Sequence, residues 1–315
     1  MNKLLILFSL LLISIAPFFG QIDINLEKIF DSNSVDYKVF FDLRVPRVVL
    51  AFFVGAILAL SGLVFQTIFR NPMSTPFTLG VASGATLFTA IGIIVGLSIF
   101  ISLFAFVGAV LTIVILFAIA SKFKTYETSS LLLVGIALSF FYSASLMIVF
   151  FLSDLQENYE IVRFTMGSLD VVGFSEVYAA VGAGVFLFTL IHLYRNHLKL
   201  LLTSHDFAYL KGLDVKKTNY ILLLGVSVAV GVSVSITGPI GFVGLIIPHI
   251  LKNIMHQSAE KLIFPIFFYG GLFLVLCDVL ARNLGTSSDV PIGVITAFLG
   301  TPFFIYLIIS RKRQS

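Results

Sequence analysis

The chain has no tryptophan, a single cysteine and few charges. Each shortage excludes something. With Cys277 alone, and set inside an apolar run, no disulfide framework can form and dithiol chemistry has no second thiol. Charged residues make up 11% of the 315, while apolar residues reach 58% and mean hydropathy is +1.07. Water-soluble domains carry about 25% charged residues. A globule in water could not hide so much apolar surface, so the solvent for most of this chain is a bilayer. In the absence of tryptophan, tyrosine and the 34 phenylalanines must supply any belt at the membrane interface.

Catalytic signatures are missing as well. No G-x-x-x-x-G-K-[ST] phosphate loop occurs, so ATP cannot be held and hydrolysed by that route. No nucleophile elbow, H-E-x-x-H helix or Cys/His cluster is present. The five histidines, His192, His197, His205, His249 and His256, fall in or beside inferred cytoplasmic loops without a ligand spacing. Catalysis is therefore a poor reading, and no metal site is expected.

What is there is a series of apolar runs near 4–19, 47–69, 79–98, 101–120, 130–152, 177–194, 220–237, 240–256, 262–284 and 290–310. A helix crossing a core of roughly 30 Å needs about 20 residues, which these lengths suit. Barrel strands would be short and alternating, and these are not. The expectation is an all-α polytopic membrane protein with ten transmembrane helices in one domain over 1–315. The eighth run is short, follows Gly238-Pro239 and contains Pro248 and His249, so a re-entrant or broken helix is open there.

Short loops rich in lysine and arginine stay in the cytoplasm. With the amino terminus inside, 14 of the 20 basic residues fall inside, and Lys28, Lys38, Arg44, Arg47, Arg163 and Arg282 fall outside. Acids run the other way, with Asp23, Asp42, Asp154, Asp170, Glu176 and Asp289 among those outside. Both termini are thus expected in the cytoplasm, with 21–43 an external loop and 195–219 an internal one. The basic balance, net +4 and pI about 9.1, then needs no nucleic-acid partner. The first run also fits a secretory signal, but it has no clean small-x-small cleavage site and is expected to stay as the first helix. Charge alone is compatible with either fate.

The joins RNPMSTP (70–76), TGPIGF (237–242) and GTPFF (300–304) put helix breakers at membrane depth, where irregular backbone must line a cavity or pack on neighbouring helices. Small residues such as Gly80 and Gly84, or Gly225 and Gly231, allow helices to approach closely. Asp278 is the only carboxylate well inside a run. An ionisable group there is a functional candidate by default, as in proton relays, but Arg282 lies four residues on and favours a local ion pair.

Three ordered blocks carry a specific resemblance: RVPRVVLAFFVGAILALSGLVFQTIFRNPMSTPFTLGVASGA (44–85), GPIGFVGLIIPHI (238–250) and CDVLARNLGTSSDVPIGVITAFLGTPFFIYLI (277–308). They resemble the FecCD/BtuC-like permease subunits of type II ABC importers, which carry iron–siderophore complexes, haem and vitamin B12. The likeness runs from about residue 40 to the end of the chain. It implies a ten-helix permease in which helices two to five and seven to ten form inverted halves, paired with a second copy or a close paralogue around a central pathway. It also implies a separate ATPase subunit, which would hold ATP and Mg, and an external substrate-binding protein, either periplasmic or a lipoprotein. No cofactor belongs to this chain on that reading, and its place is the bacterial cytoplasmic (inner) membrane.

The resemblance assigns roles to named residues. Arg44 and Arg47, in the R-x-P-R pattern, and Arg282 would receive acidic residues of the binding protein, for which a planar guanidinium fork is suited. Headgroup snorkelling or an internal pair is the competing reading, strongest for Arg282 beside Asp278. HDFAYLKGLDVKK (205–217) resembles the paired short helices that rest on the ATPase, with His205 and Asp206 opening it and Ala208, Gly212 and Leu213 matching the A-x-x-x-G-[small apolar] spacing. Lys211 departs from the usual leucine, and a solvated basic loop is the competing reading. A ferric siderophore is the expected cargo, with haem and cobalamin open; a stand-alone, ion-coupled secondary transporter is the alternative from another class.

Overall fold

The computed structural model describes residues 3–97, 100–120, 128–203, 205–255, 257–285 and 289–311. Its elements are α1 (Lys3–Ile15), α2 (Val35–Tyr37) continued through a π-helical stretch (Lys38–Arg44) into α3 (Val45–Ile68), α4 (Val81–Ile94), α5 (Ile101–Ala120), α6 (Thr128–Leu152) and α7 (Leu155–Met166). After these come α8 (Ser175–Leu193), α9 (Arg195–Thr203), α10 (His205–Leu210), α11 (Val215–Thr237), α12 (Val243–Met255), α13 (Ala259–Leu284) and α14 (Ile292–Arg311). No strand occurs among the described residues. Ten of these helices are apolar and stand on the ten apolar runs of the sequence, five of them long enough to cross a bilayer and five shorter over the described residues.

The centre of the bundle is α3. It is apolar all round, and 83% of its most apolar stretch is buried, as a helix surrounded by other helices requires. It packs on α8, α11, α12 and α13. Glycine makes the closest of these approaches possible: a Cβ on Gly62 would land on the Gly244 carbonyl of α12, and one on Gly55 on the Gly270 carbonyl of α13. At the other extreme, α6 buries only 17% of its apolar stretch and presents Phe140, Phe141, Met147 and Phe151 outward.

Packing also carries the inverted repeat. Exchanging α3, α4, α5 and α6 for α11, α12, α13 and α14 maps the helix pairs onto one another: α3 on α13 becomes α11 on α5, α3 on α12 becomes α11 on α4, and α4 on α6 becomes α12 on α14. The sixth apolar helix, α8, touches both α3 and α11. Corresponding helices α4 and α12 are the short ones, 14 and 13 residues. At ~1.5 Å per residue each spans only about 20 Å, so irregular backbone completes their passage. Before α4 that backbone is the RNPMSTP join; before α12 it is Gly238–Phe242, which closes with Phe242 itself at φ +67. Within the eighth run, Val243–Met255 is one unbroken helix despite Pro248, while residues 240–242 stay non-helical.

Two boundaries differ from the sequence reading. The stretch 21–43 is not wholly a loop, because α2 and the π-helical residues extend α3 backward to Val35. Between Arg195 and Lys217 lie α9, α10 and the first turn of α11, so the short helix in 205–217 is single and its neighbour precedes it.

Candidate functional site

Arg44, Arg47 and Arg282 come together, around the start of α3 and the last turn of α13, and all three line one cavity of ≈ 570 Å³. Arg47 sits in the first turn of α3, next to Pro46, whose missing N–H is tolerated there. Its Nε donates to Asp278 Oδ1 at 2.7 Å, and its Nη1 donates to Asp170 Oδ1 at 2.8 Å and Asp289 Oδ2 at 2.6 Å. Asp278 is fully buried; Asp170 and Asp289 stand on the segments before α8 and α14, with side chains 47% and 29% exposed.

Arg282 follows Asp278 by one helical turn, and its Nε lies 3.0 Å from Asp278 Oδ2, too poorly aligned for a hydrogen bond. One buried carboxylate thus stands between two guanidiniums. The remaining donors of Arg282 reach the carbonyls of Phe19 at 2.9 Å and Ala16 at 3.3 Å. Arg44 does likewise, donating to Pro17 O at 3.2 Å, to Phe18 O at 3.1 Å and to Ile22 O. The segment after α1 therefore lies over these two arginines, which are buried, and Gly20 crosses so near Arg44 that a Cβ would touch the guanidinium. Arg47 borders a second cavity of ≈ 490 Å³, together with Tyr159, Arg163 and Met166 of α7.

Sequence reasoning brought out the three arginines and the Asp278–Arg282 pair. It did not find Asp170 and Asp289 as partners of Arg47; the only signal was that both acids lie on the same inferred face. The carbonyls of 16–22 left no signal, because backbone acceptors have no residue signature.

At the other end of the bundle, α10 closes with Gly212 at φ +79. Gly212 N–H donates to Tyr209 O at 2.9 Å and Leu213 N–H to Ala208 O at 3.0 Å, the pattern of a Schellman stop. Ala208 and Leu213 are buried beneath it, whereas Tyr209 and Leu210 are 74% and 82% exposed. Asp214 then caps α11 by accepting from the Lys217 N–H. The side chains of His205 and Asp206 lie outside the described residues. Near this end, Arg70 donates to Leu201 O at 3.0 Å, and Lys199 pairs with Glu260 at 3.1 Å. Gln66 joins α3 to α12, donating to Gly244 O at 3.0 Å and accepting from Lys252 at 3.1 Å.

Comparison with known proteins gives the chain a family. The model of the FecCD transport family matches residues 4–310. A probable iron chelatin transport system permease protein of Helicobacter pylori is 36% identical over 87% of this chain and 83% of its own. The hemin transport system permease protein HmuU of Yersinia pestis is 30% identical over 94% and 91%, and the cobalamin import system permease protein BtuC of Halobacterium salinarum is 36% identical over 86% and 73%. A solved structure of a metal-chelate type ABC transporter in an inward-facing conformation superposes with a TM-score of 0.85 at 28% identity, over 98% of this chain and all of the other. With the family model spanning nearly the whole chain and the inverted ten-helix packing in place, the protein belongs to the FecCD transport family, the permeases of type II ABC importers.

Proposed function

We propose that the chain is the membrane pathway of a binding-protein-dependent importer for a ferric siderophore, driven by ATP hydrolysis on a separate subunit and completed by a second permease, a copy of itself or a close paralogue. The observation that carries the reading is the family match over 4–310 together with an iron-chelate permease relative at 36% identity. Relatives named for hemin and cobalamin make those cargoes the second reading.

The two ends of the bundle divide the work. The Arg44, Arg47 and Arg282 cluster is the face on which the binding protein sets its acidic residues, and Arg47 is the member with most access. Arg44 and Arg282 stand behind it, beneath the 16–22 segment. The α10 end is the face for the ATPase, where His205, Asp206, Ala208, Gly212 and Leu213 form the coupling element. Ala208 and Leu213 hold that element against the bundle, leaving Tyr209 and Leu210 to enter the partner's surface. Both termini lie on that cytoplasmic side.

Uptake tests the cargo. Cells supplying this permease, its ATPase and its binding protein are given radiolabelled ferric siderophore, hemin or cobalamin in parallel. The reading predicts accumulation of the siderophore iron, abolished by an ATPase variant unable to hydrolyse ATP. Accumulation of hemin or cobalamin alone selects the second reading.

A further inference from the structure

The outward edge of Arg47 is already occupied by carboxylates of this chain. A guanidinium grips an incoming carboxylate bidentately through two adjacent nitrogens. Nε of Arg47 belongs to Asp278, whose side chain is fully buried and cannot leave without stranding buried Arg282, for which it is the ion-pair partner among the described residues. The edge remaining for a partner is Nη1 with Nη2. Nη1 spends both of its hydrogens on Asp170 and Asp289, at 2.8 and 2.6 Å, while Nη2 makes no hydrogen bond among the described residues.

The two kinds of partner differ in permanence. Asp278 is rooted in α13. Asp170 and Asp289 ride on the non-helical segments leading into α8 and α14, are 47% and 29% exposed, and share one nitrogen between them. Asp170 is also approached by Arg163 of α7 at 3.4 Å, so it has a second cation to turn to.

We propose that Asp170 and Asp289 are exchangeable stand-ins for the partner's carboxylate: an acidic residue of the docking protein displaces one or both from Arg47, and the displacement frees the segments entering α8 and α14. Asp278 is the fixed positioning residue that keeps Arg47 aimed outward throughout. The idea rests on the docking role proposed above. It adds that docking is a competition within the site, so binding tightens when the internal competitors are neutralised.

The experiment places the permease with its ATPase in lipid nanodiscs and measures the equilibrium affinity of the substrate-binding protein that supports uptake through it. Wild type is compared at fixed salt with Asp170→Asn/Asp289→Asn and with Arg47→Glu, each checked for an unchanged melting temperature. The expected result is several-fold tighter binding by the double asparagine variant and lost binding by Arg47→Glu. Unchanged or weaker binding by the double variant, with Arg47→Glu still defective, overturns the exchange while leaving docking intact. Unaltered binding by Arg47→Glu overturns the docking reading, and the exchange with it. Asp289→Asn alone serves if the double variant melts lower, with the same expected direction.

Discussion

Asp278 is a fully buried carboxylate held between Arg47 and Arg282, so its charge is indispensable to theirs. Replacing it with alanine leaves buried Arg282 without a carboxylate and takes one of three from Arg47, and removing one member of such a buried group costs about 3–5 kcal/mol. Asp278→Ala is expected to melt well below wild type in detergent, whereas Asp170→Ala, whose side chain is half exposed, is expected to melt close to it. Equal melting of the two would mean that the buried network contributes nothing to the fold. The arginines themselves were legible in the sequence because R-x-P-R and the following Asp-x-x-x-Arg are local patterns. Their partners were not, since Asp170 and Asp289 lie 123 and 242 residues from Arg47 and only the folded chain brings them near.

Among the elements, the short helices and their irregular leads set the shape of the permease. The Gly62 and Gly244 contact holds α12 against α3, and a side chain there must push the backbones apart. Overpacking of this kind costs about 1–3 kcal/mol. Gly62→Val should therefore reduce the folded fraction seen by size-exclusion chromatography, while Gly182→Val on α8, where a Cβ meets open space, should not. At the opposite end, Gly212 stands in the left-handed region, which costs an L-residue about 1–2 kcal/mol. Since α10 is only six residues long, Gly212→Val is expected to disturb its stop without unfolding the bundle. The measurement is transport at equal membrane expression: uptake should fall while the melting temperature holds. Apolar runs located the ten apolar helices, yet they overstated α4 and α12, because Gly and Pro keep neighbouring apolar residues non-helical without making them polar. The helices α7 and α9 did not stand out from loops, because they are brief and too polar to form an apolar run, whereas α10 was expected from the family resemblance.

On the scale of the whole molecule, the charge distribution and the contact pattern give the same two ends. Arg47, Asp170, Asp289 and the segment after α1 gather at one; Arg70, Leu201, Lys199 and Glu260 gather at the other. Helix order and inverted pairing were readable because loop charge alternates and the family blocks recur in order. The side on which each end lies is testable in a variant with Cys277 replaced by alanine. A cysteine at exposed Phe30 should react with a membrane-impermeant maleimide in intact cells, and one at exposed Tyr209 only after lysis. The reverse pattern would invert the proposed topology.

The central claim, that an external arginine cluster receives a cargo-loaded protein, is tested most directly by uptake of radiolabelled ferric siderophore through wild type and Arg44→Glu/Arg47→Glu at equal membrane expression. The account predicts lost uptake that returns when acidic residues on the binding protein are changed to lysine. Undiminished uptake by the charge-reversed permease would contradict it and leave the arginines as internal braces of the helix ends.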